Sequence, residues 1–178
     1  MPNRLSVGDI RRLPFAEGAF DTIVSTDCPE HLAEPHIPAA LAEMHRVSRR
    51  NVFLRIATRV DRDARWHLTV RSREWWEERL IAAGFRKHPA YYDVNEYESL
   101  NEVQADVTLA YEKIDREVLS LWPSERLVSE RDLHMDMLRE SGARSDAHVV
   151  RYQLAAQYVR PGDTVLDAAC GLGYGAYV

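Results

Sequence analysis

The chain has 178 residues, of which 46% are apolar and 29% are charged, and its formal net charge is −5. This balance is that of an ordinary globular protein, and no basic field points to nucleic acid. No apolar run approaches the ~20 residues that span a bilayer, and the N-terminus does not resemble a signal peptide. Cys28 and Cys170 lie far apart in sequence, which favours a reducing compartment. We therefore expect a cytoplasmic protein without nucleic-acid or membrane partners.

A strand, a helix and a second strand are predicted near the N-terminus. The β-branched run from Phe20 to Thr26 is typical of a buried strand. Apolar residues then recur at helical spacing between Ile37 and Val47, and Asn51 to Thr58 forms the next strand pattern. A strand–helix–strand unit with short connections predicts a parallel sheet.

A capped helix and two further strands are predicted next. Ser72 can cap a helix that Gly84 ends. The segments His88–Tyr97 and Ala105–Ile114 have strand character, and Val107, Leu109 and Tyr111 alternate with smaller residues in the second one. We expect these two segments to form an antiparallel pair that closes one edge of the sheet.

The last third of the chain changes in character. From about Asp115 it is charged and helix-forming, which predicts a helical linker. A helix beginning near Ala147 should end at Pro161-Gly162. A strand from Thr164 to Cys170 is expected to follow.

A glycine-rich turn ends the sequence. Gly171, Gly173 and Gly175 lack Cβ atoms, so a ligand can approach the backbone at little strain. Asp167, at the end of the preceding strand pattern, can accept hydrogen bonds in the same crevice. A tight strand–helix connection without a ligand stays open as the alternative. Dinucleotide folds favour G-x-G-x-x-G with a later acid, whereas here the acid comes first and the spacing is G-x-G-x-G.

This order of residues carries a family resemblance. The stretch "VLDAACGLGYG" resembles the first motif of class I S-adenosylmethionine-dependent methyltransferases. The resemblance implies that the cofactor S-adenosyl-L-methionine contacts four residues of this stretch, namely Asp167, Ala169, Gly171 and Gly173.

The other end of the chain is similar to the middle of the same family. The stretch is "VGDIRRLPFAEGAFDTIVSTDCPEHL". By resemblance, Asp9 contacts the adenine amino group and Ile10 the adenine ring, while Ser25 and Thr26 line the methionine part. Pro29 is a departure, since the family often has "LEHL" where this chain has "PEHL".

The implied fold is an incomplete α/β, Rossmann-like three-layer sandwich, mostly parallel with an antiparallel edge pair. Residues 1–114 correspond to the C-terminal part of a methyltransferase domain, 115–147 to a helical linker, and 148–178 to the start of a domain. Three interpretations stay open. The chain is a piece of a tandem protein, a permuted or shortened domain whose last strand docks beside "DTIVST", or a strand-swapped homodimer.

The implied activity is methyl transfer to a small-molecule or sugar-type acceptor. The acid that holds the cofactor ribose in this family has no counterpart here. Losing its charge-assisted hydrogen bond should make the binding free energy of the cofactor less favourable by roughly 1.5–3 kcal/mol, so weak cofactor binding is expected. The alternative function is a non-catalytic remnant that acts as a strand-exchange dimer or partner-binding module. A nicotinamide-dependent oxidoreductase is disfavoured by the glycine spacing.

Candidate catalytic residues are the general bases His31, after the first strand, and His67, after the second. A structural role at a helix start is the alternative for His31. No metal site is expected, because the spacing of Cys28, His31 and His36 matches no standard zinc pattern.

Overall fold

The computed structural model describes residues 6–60, 65–97, 100, 104–114, 116–121, 123, 136–168 and 173–178. Within these ranges the strands are β1 (Phe20–Thr26), β2 (Ser48–Ala57), β3 (Phe85–Lys87) and β4 (Asp106–Lys113). The α-helices are α1 (Ile37–Val47), α2 (Arg73–Ala82), α3 (Arg116–Leu121), α4 (Gly142–Ala156) and α5 (Tyr174–Tyr177). Short 3₁₀ turns cover Pro29–His31, Glu34–His36, Tyr91–Asp93 and Met137–Arg139. Among the residues described, no helix combines the length and apolar character needed to cross a bilayer.

The four strands form one mixed sheet in the order β1-β2-β4-β3. β1 runs parallel to β2, with Ile23 opposite Val52, and α1 is the crossover between them. β4 runs antiparallel to both β2 and β3. The predicted parallel unit and the incomplete Rossmann-like α/β fold are thus confirmed, and an antiparallel pair does close one edge. Among the described strands one of the three pairings is parallel and two are antiparallel, so this part of the sheet is not mostly parallel.

The ends of α2 follow from local chemistry. The Ser72 hydroxyl accepts a hydrogen bond from the Trp75 amide, which satisfies one of the unpaired donors at the helix start. After the helix, Gly84 has a φ of 93°, in the left-handed region that favours glycine. A Cβ there would also lie 3.0 Å from the His45 ring, so the chain turns closely past α1.

The hydrophobic core lies on one side of the sheet. Val52, Leu54 and Ile56 alternate along β2 and are almost completely buried, whereas Phe53 and Arg55 on the other face stay partly or fully exposed. The helical residues that fill this core are Ile37, Leu41, Met44, Trp76 and Leu80. The described residues therefore build two of the three layers that the family resemblance implies.

The antiparallel pair uses a different first strand from the one predicted. The pairing segment is Phe85–Lys87, and the predicted strand His88–Tyr97 is wrong because it contains the 3₁₀ turn at Tyr91–Asp93. Pro89 lacks an N–H for a ladder, and the Asn95 side chain donates to the Tyr91 carbonyl across the turn. The turn brings Tyr91 into the core under α2.

The predicted last strand is also wrong in the residues described. Thr164 to Ala168 have no strand pairing, and Val165 and Leu166 are 62% and 88% exposed. A strand needs a neighbour to pair its main-chain groups, and these residues do not dock on β1. The predicted helix before this segment is confirmed as α4. It begins at Gly142, so it crosses the predicted linker boundary at 147/148, while the domain division itself stays a prediction.

Candidate functional site

The carboxyl ends of β1 and β2 lie side by side, as they do at ligand crevices of α/β sheets. β1 ends where the Asp27 amide donates to the Arg55 carbonyl at 3.0 Å. Asp27 has a φ of 50°, a left-handed conformation that aspartate tolerates better than most residues. The 3₁₀ turn Pro29–His31 follows directly, so the chain turns at the carboxyl end of β1.

Glu30 joins this turn to two other segments. Its side chain is completely buried, and Oε1 accepts a hydrogen bond from the Ala57 amide at the end of β2. Its main-chain carbonyl accepts hydrogen bonds from the Leu68 and Thr69 amides, at 2.8 and 2.9 Å. The loop before α2 is therefore fixed against the end of β1.

The two predicted catalytic histidines come together through this arrangement. The ring centroids of His31 and His67 are 5.1 Å apart, in an edge-to-face orientation. His31 Nδ1 lies 2.8 Å from the Trp66 carbonyl, and His67 Nδ1 lies 2.8 Å from the Arg59 carbonyl. The sequence proposed each histidine separately, and the fold places them in one cluster at the carboxyl ends of the strands.

The predicted cofactor residues of the N-terminal segment lie on the same side of the molecule as β1. Ser25 and Thr26 are the last two residues of β1, opposite Leu54 and Arg55 of β2. Ile10 packs against the main core.

Asp9 carries an ionised carboxylate in this segment. It accepts hydrogen bonds from the side chain and the amide of Arg11, which lower its pKa to about 2. A carboxylate can accept a hydrogen bond from an amino group, although both oxygens of Asp9 already accept hydrogen bonds from Arg11.

The predicted cofactor residues near the C-terminus lie elsewhere. Asp167 accepts a hydrogen bond from the Tyr152 hydroxyl of α4 at 3.2 Å. Gly173 has a φ of 80° and begins α5, from which the Tyr177 hydroxyl donates to Glu112 of β4. Ala169 and Gly171 lie outside the described residues.

The two sets of predicted cofactor residues are therefore not brought together. α4 and α5 pack at the β3 edge of the sheet, and β1 forms the opposite edge. Gly175 has a packing role at its present place, because a Cβ there would clash with the Tyr152 ring. The cofactor contacts predicted for Asp9, Ile10, Ser25 and Thr26 stay predictions.

A second polar cluster, which sequence reasoning missed, anchors α4. Arg73 and Glu77 of α2, Lys87 of β3 and Asp146 of α4 are all at least 92% buried, with exposures of 8%, 0%, 0% and 1%. Arg73 binds Glu77 at 2.7 Å and Asp146 at 2.8 Å, and Lys87 binds Asp146 at 3.0 Å. Burial opposes ionisation of Asp146, yet Lys87 and Arg73 outweigh it and hold its pKa below the ordinary value.

Sequence reasoning missed both the role of Glu30 and the buried polar cluster around Asp146, and the two differ in how visible they are in the sequence. Glu30 stands beside His31 in the quoted "PEHL", directly after a predicted strand, so its position was visible although no role was assigned. Arg73 and Glu77 have the i, i+4 spacing of a helical ion pair. Lys87 and Asp146 are 59 residues apart, and no local pattern links them.

A cleft of about 750 Å³ lies between the Tyr91–Asp93 turn and α4. None of the described cofactor or catalytic candidates lines it. Its walls include His88, Tyr92, Tyr97, Val150, Gln153 and Val178. We give more weight to the strand ends, because hydrogen-bonding groups converge there.

Comparison with known proteins agrees with the sequence pattern. Residues 2–51 match a family model described as a methyltransferase domain. In this segment the chain is similar to methyltransferase domains. The predicted resemblance to class I S-adenosylmethionine-dependent methyltransferases is thereby confirmed.

A solved structure and a search of curated sequences complete the comparison. A crystal structure of a candidate methyltransferase from Bacillus halodurans is 15% identical, with a TM-score of 0.39 over 68% of this chain. This chain spans 64% of the length of that structure. No curated protein sequence matches.

Proposed function

We propose that this chain is part of an S-adenosylmethionine-dependent methyltransferase that acts on a small-molecule or sugar-type acceptor. The observation that supports this most directly is that His31 and His67 come together in the segments that follow β1 and β2, where Ser25 and Thr26 end β1. The net charge of −5 argues against a nucleic-acid acceptor. A cytoplasmic location is part of the proposal, from cysteine usage.

The histidines supply the proton chemistry in this proposal. When bound, S-adenosylmethionine would supply an electrophilic methyl group. Each Nδ1 faces a main-chain carbonyl, which can only accept, so Nδ1 carries the proton and Nε2 keeps its lone pair. Nε2 of His31 or His67 can therefore take the proton of an acceptor hydroxyl, as a positioned general base does.

Thermal-shift measurements test the cofactor class. Millimolar S-adenosylhomocysteine should raise the melting temperature, and NAD should not. Asp9→Ala should reduce the shift. Asp21→Ala is the matched control, because Asp21 is another exposed acid paired with an arginine. A shift with NAD, or equal shifts in both variants, would contradict the proposal.

A second candidate function is a strand-exchange or partner-binding module. β1 pairs only with β2 among the described residues, and Val24 on it is 66% exposed. An open apolar edge is a template for another strand, and the exposed Val165 and Leu166 offer one. Slow amide exchange at both residues together with a dimer in light scattering would support this function, whereas fast exchange at both would exclude it.

A further inference from the structure

Glu30, His31 and His67 form a cluster with the composition of a metal site. One ligand atom from each lies within 4.8 Å of the ligand atoms of the other two. The residues come from the β1 turn and the loop before α2, so only the fold brings them together. Glu30 is buried, His67 is half-buried and His31 is exposed, which leaves one side of the cluster open to solvent.

In the neutral rings, the hydrogen bonds of the two histidines leave Nε2 as the nitrogen that can bind a metal. Nδ1 of each ring donates to a main-chain carbonyl at 2.8 Å, from His31 to Trp66 and from His67 to Arg59. Metal-ligating histidines usually donate their second ring N–H to a carbonyl or carboxylate in this way, and this fixes the ring. Both Nε2 atoms therefore retain lone pairs.

Glu30 gives an independent indication that a cation belongs here. Its Oε1 accepts a hydrogen bond from the Ala57 amide, but Oε2 is buried and has no hydrogen-bond partner among the described residues. A buried carboxylate oxygen without a partner is costly, and native structures rarely leave one. The carbonyl of Glu30 also holds the His67 loop, and one carboxylate oxygen of Glu30 lies within 4.8 Å of a ring nitrogen of each histidine.

We propose that Glu30, His31 and His67 bind a divalent transition-metal ion of the zinc type. Two imidazoles and one carboxylate suit such ions, whereas Mg²⁺ and Ca²⁺ prefer oxygen ligands throughout. Ligands of a tetrahedral zinc lie roughly 3.4 Å apart, so the ligand atoms, which lie within 4.8 Å of one another, need to close by at most about 1.4 Å on binding. Three protein ligands leave a position for water or an acceptor hydroxyl, whose pKa the metal lowers.

This site differs from the zinc grouping that the sequence excluded. That grouping comprised Cys28, His31 and His36, and neither Cys28 nor His36 belongs to the cluster described above. The evidence for this site is the geometry of the three side chains and does not depend on methyl transfer. With a metal bound, neither Nε2 could act as the general base proposed above, and the metal would activate an acceptor hydroxyl instead.

Cobalt titration of the full chain, freed of metal by a chelator, tests the site. We expect one equivalent of Co²⁺ to produce visible d–d absorption, and Zn²⁺ to displace it while Mg²⁺ does not. Glu30→Gln and His67→Ala should each weaken binding by about 100-fold or more. His67→Gln, which keeps most of the side-chain volume, serves if His67→Ala fails to fold, as judged by near-ultraviolet circular dichroism.

His36→Asn and Cys28→Ser are the matched controls and should leave Co²⁺ binding unchanged. No absorption at one equivalent would overturn the proposal, as would binding that survives both Glu30→Gln and His67→Gln. Loss of binding in Cys28→Ser, or displacement by Mg²⁺, would assign the metal to another site or class. Cofactor binding in the thermal-shift experiment needs no metal, so failures of the two proposals are distinguishable.

Discussion

Two fully buried glutamates, Glu77 in the α2–α4 cluster and Glu30 at the strand ends, differ in how their carboxylate oxygens are hydrogen-bonded. Both oxygens of Glu77 are satisfied: Oε1 accepts from Arg73 and the Tyr91 hydroxyl, and Oε2 from the Gly142 amide. Glu30 has one satisfied oxygen and one without a partner among the described residues. A network with every acceptor satisfied stabilises packing, whereas an open acceptor beside two histidines is suited to bind something. The α2–α4 region is thus structural, and the strand ends are the place for chemistry.

The largest expected effect is at the satisfied glutamate. Glu77→Gln leaves Arg73 and Lys87 with one buried counter-charge between them, and it should destabilise the protein by about 3 kcal/mol or more. Urea unfolding measures this. Glu78→Gln, on the same helix but exposed, should cost less than about 1 kcal/mol. Equal costs for the two variants would mean that the buried network contributes little.

The matched change at the other glutamate should be much milder. In metal-free protein, Glu30→Gln keeps the acceptor for the Ala57 amide and removes a buried carboxylate that has no ion pair within the described part of the chain. We expect the free energy of unfolding to change by no more than about 1 kcal/mol in either direction. The same urea experiment checks it, and a loss as large as that of Glu77→Gln would show that Glu30 is structural.

Acid should weaken the more exposed ion pair between Glu43 and Arg46. Arg46 binds Glu43 through two hydrogen bonds, and together with the Leu13 amide it lowers the pKa of Glu43 from 4.5 to about 2. A lowered folded-state pKa means that the stabilisation is complete above pH 4.5 and is lost as the pH falls towards 2. The melting temperature should fall across this window. In Glu43→Gln this part of the fall should be absent, and an unchanged profile would contradict the assignment.

The smallest effect is expected at Trp66. Its ring is 64% exposed, and the group that holds His31 is its main-chain carbonyl. Trp66→Ala should therefore change the free energy of unfolding by at most about 0.5 kcal/mol and should leave Co²⁺ binding intact. Calorimetry and the cobalt titration measure these two quantities, and a large loss in either would give the ring a role that its exposure does not suggest.

Local patterns predicted the elements whose partners are near in sequence. The parallel pair of β1 and β2, α1 and the capped α2 follow from periodicity and from Ser72 and Gly84. Phe85–Lys87 was missed because three residues carry almost no period-2 signal. Thr164 to Ala168 had the right composition for a strand, but composition does not supply the neighbouring strand that its main-chain groups need.

The sequence by itself determined the methyltransferase resemblance and named His31 and His67, because motifs and strand ends are written in contiguous residues. Only the tertiary structure decided that these rings share a cluster with Glu30. It also decided that Asp167 lies at the opposite edge of the sheet from Ser25. Both facts depend on contacts between residues far apart in the chain, and the packing of whole elements, not local preference, sets those contacts.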